Sequence, residues 1–516
     1  MAQRSKRIRI GGLLLCLCVL LSGCSATERD VSANEAPMTL PPAESRYAAP
    51  LDDNSMTYGA LVNLSLPSRD GQRLLSLQRE LTLIRGQRNA GTVLNALFTI
   101  PSSETTRSLG GRLNLQLSGA MPVELSGDVC TVHLSSAAVA LEYDELYTAA
   151  LAIVSTLAGT SGVRYLNLMI AEQTPAFDVA GNLPAGSVTV HPGEELPALW
   201  DQMAARRTTL GENASQTPLS ATATIFFPLA DRSGFIPETR NLTFPGQTPA
   251  QLASGLLSAM SSGAQYLEGT ITLPDITNLL SLPPEIAELP EGGRMISLYF
   301  PSDLESILDE EGIDYGCFVA AVTWTLTTFI PSVGAIRFFT GSTLLTALSS
   351  PLFGSLAFEN GLIRRRQFRT GLRDQTVVAL QRGGKLTDVR RSVTADGVQN
   401  PRTLLELLMA GPTEPEQREG IRATLPLGLD STDILGIGVE DGVLLLNLSP
   451  RFERLVRQLD PEAERMSCYA MITTLCDALE VSRVRFFWNG EAAERLGGEI
   501  YWGGEFMLNH SIKESR

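Results

Sequence analysis

The sequence predicts an α/β protein of the α+β type, built as three tandem small two-layer domains, each with two helices packed on a small mixed or antiparallel sheet. Three observations predict it. A pattern of about 120 residues occurs three times, which fixes the architecture before any single residue fixes a chemistry. The 516-residue length suits several domains, and 44% hydrophobic content lets each bury its own core. Each copy also closes on the same helix and strand: Ile153-Val154-Ser155-Thr156-Leu157 before Gly162 to Leu168, the stretch Ala321 to Phe339, and Ile472-Thr473-Thr474-Leu475 before Val484-Arg485-Phe486-Phe487.

The N-terminus comes first in order. Arg4, Lys6, Arg7 and Arg9, with no acid, precede an apolar run from Leu13 to Leu21 and then Leu21-Ser22-Gly23-Cys24. That is a basic region, a short apolar core and small residues at a cleavage point, so residues 1–23 form a signal peptide. The run is too short for a span of about 20 apolar residues. Cys24 directly after Leu-Ser-Gly resembles a lipobox, which implies diacylation of its thiol, palmitate being a typical chain; a plain signal peptide is the alternative. Two acyl chains make a stable anchor. Residues 24–56, with Pro37, Pro41, Pro42 and Pro50, are expected to be a flexible tether.

The element order is clearest in the third copy, residues 374–490. Val377 to Leu380 and Leu386 to Val393 flank the Gly383-Gly384 turn. Asn400 offers an N-cap and Pro401 a first helical residue, before Leu404 to Leu408 run to a stop at Gly411-Pro412. Asp441-Gly442 joins Ile434–Val439 to Val443–Leu448 as a two-residue hairpin. Ser449 and Pro450 then open an interrupted helical region reaching Leu479, and the strand from Arg483 to Trp488 closes the copy.

The second copy, 221–341, repeats this order: Ile225-Phe226-Phe227, a turn at Gly234, Thr248-Pro249 opening a helix, a hairpin at Gly292-Gly293, and Ser302 with Glu305 as a capping box. The first copy, 57–172, follows with Leu61 to Leu66, Gly71, a helix near Val93 to Phe98, the turn Ser126-Gly127-Asp128, and Ser135 before the last helix. Strands such as Val129 to Leu134 alternate and need one covered side, so the helices are expected on one sheet face. Segments 173–220 and 342–373 serve as tails or linkers, and 491–516 as a C-terminal tail.

Leu408-Met409-Ala410-Gly411-Pro412, Thr424-Leu425-Pro426-Leu427-Gly428, Leu445-Leu446-Asn447-Leu448-Ser449, Thr474-Leu475 and the Val484-x-Phe486 strand together resemble the GerMN domain of sporulation and spore germination. Trp324-Thr325-Leu326 to Phe339-Thr340-Gly341 carries the likeness in the second copy. The first copy is degenerate, with Phe98-Thr99-Ile100-Pro101 where the family's Gly-Pro would stand. The resemblance implies an envelope lipoprotein of an endospore-forming bacterium, a fold like the ring-building motifs of secretion-like complexes, and a place in the assembly between mother cell and forespore. Members often carry two such domains, and this chain has three copies.

The rest of the composition narrows the function. Net charge is −15, and −19 once residues 1–23 are removed, which argues against nucleic acid and anionic polymers as partners; solubility alone also accounts for it. Arg364, Arg365, Arg366, Arg369 and Arg373 are a local exception, expected to be a solvated linker. No CxxC or paired-His spacing marks a metal site, and no cofactor is implied. Cys468 and Cys476 lie eight residues apart on a helix, about 12 Å along its axis and beyond disulfide reach, so they pack as small core residues.

His133, His191 and His510 recur in no other copy, and there is no G-x-S-x-G elbow or P-loop, so no catalytic set is assigned. Glu305, Asp309, Glu310 and Glu311 point around a helix, as a solvated face does and a glycosidase pair does not. Thr156, Thr325 and Thr474 are expected to bond a carbonyl one turn back. In the pairs Phe226-Phe227, Phe338-Phe339 and Phe486-Phe487 one ring is core, and the other is expected under a helix, with a neighbouring domain or a partner that adds to the sheet as the alternatives.

The expectation is a noncatalytic lipoprotein on the extracytoplasmic face of the membrane, anchored through Cys24, acting as a scaffold at the sporulation septum or forespore membrane. Its partners would be envelope or sporulation complex proteins, with cell-wall contact left open. The alternative is an extracytoplasmic ligand-binding lipoprotein for a cell-wall glycan or solute.

Overall fold

Each module begins with a hairpin whose strands turn back over a short loop. The computed structural model describes residues 47–53, 57–110, 115–175, 186–191, 193, 195–208, 215–492, 496, 498 and 500–514. Cys24, the signal peptide and most of the proposed tether lie outside them.

The first module runs β1 (Thr57–Pro67), β2 (Leu74–Ile84), α1 (Ala90–Thr99), β3 (Val123–Ser126), β4 (Val129–Leu134), α2 (Tyr143–Ser161) and β5 (Tyr165–Ile170). The second has β6 (Leu219–Pro228), β7 (Phe235–Phe244), α3 (Pro249–Ser261), β8 (Leu282–Glu288), β9 (Arg294–Phe300), α4 (Leu304–Glu310), α5 (Tyr315–Phe329) and β10 (Val333–Thr340). The third has β11 (Arg373–Arg382), β12 (Lys385–Thr394), α6 (Pro401–Ala410), β13 (Ile434–Glu440), β14 (Val443–Leu448), α7 (Pro450–Val456), α8 (Pro461–Leu479) and β15 (Arg483–Trp488).

In every module the second hairpin is antiparallel and its inner strand pairs in parallel with the last strand: β4 with β5, β9 with β10, β14 with β15. Parallel neighbours need a long crossover, and the long helix supplies it. The first hairpin does not join this mixed sheet. β1 with β2 and β6 with β7 stand as two-stranded sheets, and β11 with β12 gains one short strand, Ile421–Arg422. The hairpin therefore covers the side of the long helix that the mixed sheet leaves open, and Gly316 to Phe329 of α5 are all buried. A helix apolar all round belongs in an interior.

Local signals account for the ends of these elements. The Asn400 side chain accepts from Arg402 N and Thr403 N, Thr248 forms a capping box with Gln251, and the Ser449 hydroxyl accepts from Phe452 N at 3.1 Å. The interruption between α7 and α8 falls where Asp460 caps the helix that Pro461 begins, its carboxylate accepting from Ala463 N at 2.9 Å. Asp441 and Gly442 both take positive φ, 50° and 73°, as a tight two-residue turn requires. The capping box expected from Ser302 and Glu305 does not form: α4 begins at Leu304 after an Asp303 that makes no cap bond, and α5 starts afresh behind Asp314, whose carboxylate accepts from Cys317 N.

Three large apolar cores correspond to the three modules, centred on α2, α5 and α8. Each module also touches the other two. The first meets the second where Asn167 Nδ2 donates to Thr224 Oγ1 at 3.0 Å and the Thr174 hydroxyl reaches the Thr327 and Thr328 carbonyls. It meets the third where Gly127 N donates to Asp374, which also pairs with Arg88, and where Arg85 donates to the Leu479 carbonyl. Second and third join through Arg373 to the Ser233 carbonyl and Arg390 to Glu268.

Residues 47–53, assigned by sequence to the flexible tether, lie on the third module. Tyr47 is 4% exposed and packs with Val443, Leu445 and Phe487. Segment 342–373 is likewise structured: it adds three short strands, Thr343–Leu344, Ala347–Ser350 and Gly354–Ala357, and a 3-10 turn over Arg365–Gly371.

Candidate functional site

Three features recur or converge across the modules. The first is a threonine. Thr156, Thr325 and Thr474 do not serve as the sequence suggests; each hydroxyl oxygen accepts a backbone N–H from the first strand of its own module. Ser65 N donates to Thr156 at 2.9 Å, Phe226 N to Thr325 at 3.0 Å, and Ala379 N to Thr474 at 2.9 Å. The hairpin's first strand turns one edge toward the long helix, where its N–H groups lack a strand partner. A buried N–H must be paired, and the threonine supplies the acceptor. The one-turn-back bonds belong to neighbours instead: Thr323 to the Val319 carbonyl and Thr327 to the Thr323 carbonyl.

The second feature is a buried ionic cluster between the first and second modules. Glu124 on β3, 4% exposed, has Arg365 Nη2 at 2.5 Å, His133 Nε2 at 3.1 Å and Arg369 Nε at 3.3 Å. Arg365 also donates to the Thr328 hydroxyl at 2.7 Å and lies 4.0 Å above the Trp324 ring. Burial pushes the Glu124 carboxyl up, but Arg365, His133 and Arg369 outweigh it and hold the group down at about 2. The expected solvated arginine linker is thus corrected: Arg365 is 2% exposed and Arg369 pairs with Glu124 and Glu172. The acid it needs lies far back in the sequence, beyond any local pattern.

The third feature is the face of each mixed sheet turned away from its helices. Its residues alternate with the core-facing ones. In the first module Thr131, His133 and Asn167 occupy it and the second module covers them, through Thr224 and the arginines. In the second, Tyr299 stacks on Phe339 with centroids 4.7 Å apart, while the Tyr299 hydroxyl donates to Glu285. In the third, Val443, Leu445, Asn447, Arg485 and Phe487 lie under residues 47–53. Of the aromatic pairs, Phe338 and Phe486 are core, whereas Phe339 lies against Tyr299 and Phe487 against Tyr47; neither second ring is under a helix.

The remaining candidates do not converge. Glu305, Asp309, Glu310 and Glu311 are exposed. His133 belongs to the ionic cluster, His191 contacts Thr189, and His510 lies in a 3-10 turn near the C-terminus. Cys130, Cys317, Cys468 and Cys476 are free and buried, and burial pushes all four thiols up, Cys476 to about 12. Among the described residues no group of three or more His, Cys, Asp or Glu could hold a metal, and no helix is long and apolar enough to cross a membrane. An open cleft of about 1420 Å³ between the second and third modules is lined by Arg382, Arg390 and Arg391, each paired with an acid: Glu514, Glu268 and Glu416.

Residues 374–494 match the Germane family model, described as sporulation and spore germination. Among solved structures, the tandem GerMN domains of the sporulation protein GerM from Bacillus subtilis are 14% identical, with 57% of this chain and 100% of that one covered and a TM-score of 0.22. The first GerMN domain of the same protein is 19% identical, with 27% and 98% covered and a TM-score of 0.20. No curated protein matches the chain. Residues 374–494, the last of three modules that share one element order and one buried threonine bond, are thus the part of the chain that is similar to the Germane model of sporulation and spore germination.

Proposed function

We propose that this protein acts in sporulation or spore germination as a noncatalytic, membrane-anchored lipoprotein whose modules are interaction surfaces in an envelope complex. The match of residues 374–494 to the Germane model carries the reading. The arrangement of polar groups supports it: the buried charges of Glu124 and Arg365, and of Arg88 and Asp374, pair with each other between modules, and the carboxylates Glu305, Asp309, Glu310 and Glu311 are exposed. Cys24 after Leu-Ser-Gly is the anchor in this proposal, which puts the modules on the extracytoplasmic face. Three modules on one anchored chain raise the local concentration of partner sites when the partner is itself repeated.

Crosslinking in sporulating cells, followed by capture of the tagged chain, tests this. Recovery of the same envelope or sporulation proteins with the intact chain, and their loss with Cys24→Ala, is the expected result. Recovery of the chain without an envelope partner at every stage of sporulation would overturn it.

A further inference from the structure

We infer that the outer sheet face of the third module is a docking site for an extended peptide, filled in this structure by the chain's own residues 47–53. The partner class it fits is a segment with an aromatic residue, a small residue two positions on, and an acid six positions after the aromatic.

The site is built around this segment. Tyr47 and Ala49 cover Val443, Leu445 and Phe487, and the Arg485 guanidinium lies 6.0 Å from the Tyr47 ring. The Asn447 amide donates to the Pro50 carbonyl at 2.9 Å, and Ile437 N donates to the Asp52 carbonyl and lies 3.1 Å from an Asp53 carboxylate oxygen. Arg402 grips Asp53 with two nitrogens, at 2.8 and 3.1 Å. Gly436 completes the groove: a Cβ there would collide with the Pro50 carbonyl and stand 2.8 Å from Asp52 N. The aligned edge of the second module, facing Tyr299, carries Leu282 instead, so the groove belongs to the third module.

Two further observations make this face a docking surface as well as a place where chain happens to lie. The equivalent face of the first module is also occupied, by a different element, the β6–β7 hairpin at Thr224. The segment is held by side chains and single backbone bonds and forms no strand ladder, and Leu51 between its contacts is 80% exposed. A short ligand of this kind stays bound mainly because attachment keeps its local concentration high, so a free segment of the same chemistry displaces it only when the attached copy is weakened. The site stands independently of membrane anchoring and of sporulation.

The test uses the full chain with Cys24→Ala and, as probe, the labelled peptide of residues 46–54, Arg-Tyr-Ala-Ala-Pro-Leu-Asp-Asp-Asn, followed by fluorescence anisotropy. The chain carrying Tyr47→Ser and Asp53→Ala is expected to bind the peptide at least tenfold more tightly than the chain with its own segment intact. Adding Arg402→Ala or Gly436→Val to that weakened chain is expected to abolish binding. Absence of binding by the weakened chain, or binding that survives both added substitutions, would overturn the proposal. Hydrogen exchange on the unaltered chain gives a second reading that needs no variant: the Ile437 amide should exchange well before the core amides of 444–448. Exchange of Ile437 only with global unfolding would also overturn it.

Discussion

Replacing Glu124 by Gln removes the carboxylate shared by Arg365, Arg369 and His133 and leaves Glu172 beside Arg369. Arg365, 2% exposed, then keeps its charge without a counterion, and breaking a buried pair in this way costs about 3–5 kcal/mol. With an unfolding entropy of ~2.1 cal/mol/K per residue, residues 57–372, roughly 300 in all, lose about 0.6 kcal/mol for each degree. A loss of about 4 kcal/mol therefore lowers the melting temperature of the first two modules by about 6 °C. Calorimetry on the chain with Cys24→Ala measures it. Adding Arg365→Met should recover most of the loss, because a well-packed apolar side chain replaces an ion left without its partner. A Glu124→Gln chain that melts within about 1 °C of the parent would refute the reasoning, since the cluster would then contribute nothing net.

Other outcomes follow from the same structure. Glu124 is held at about 2, below its ordinary 4.5, so its contribution is fully present above pH 4.5 and declines as pH falls toward 2. Chemical denaturation across that range should show the decline in the parent and a flatter profile in Glu124→Gln. Thr474→Val removes the acceptor for Ala379 N, should cost about 1–3 kcal/mol by urea unfolding, and should be largely rescued by Thr474→Ser. With Cys24 replaced and the signal removed, thiol titration should find no reactive cysteine in the folded protein and four in denaturant, because Cys130, Cys317, Cys468 and Cys476 are buried with raised pKa values.

What could be read from the sequence and what could not divide along contact range. Asn400-Pro401, Asp441-Gly442 and Ser449 act on neighbours within three residues, so their cap and turn chemistry is explicit in the chain and the structure realises it. The recurrence of Thr156, Thr325 and Thr474 was visible too, but not its purpose: the N–H each one satisfies lies on a strand packed from a distant part of the module. Ser302 and Glu305 show the converse, a correct local spacing that no cap bond uses because α4 starts later, at Leu304. Arg365 looked like part of a solvated basic run because its counterion, Glu124, sits in another module. Tyr47 to Asp53 looked like tether for the same reason, since proline and small residues mark mobility only where nothing further along the chain binds them.

The central claim is that the chain works as an anchored component of the spore-forming envelope. The most direct measurement is the position of a fluorescent fusion through sporulation in the native host, with Cys24→Ala as the unanchored control. Enrichment at the division septum or engulfing membrane, lost in the control, is the predicted result. An even distribution around growing and sporulating cells alike, unchanged by Cys24→Ala, would contradict it.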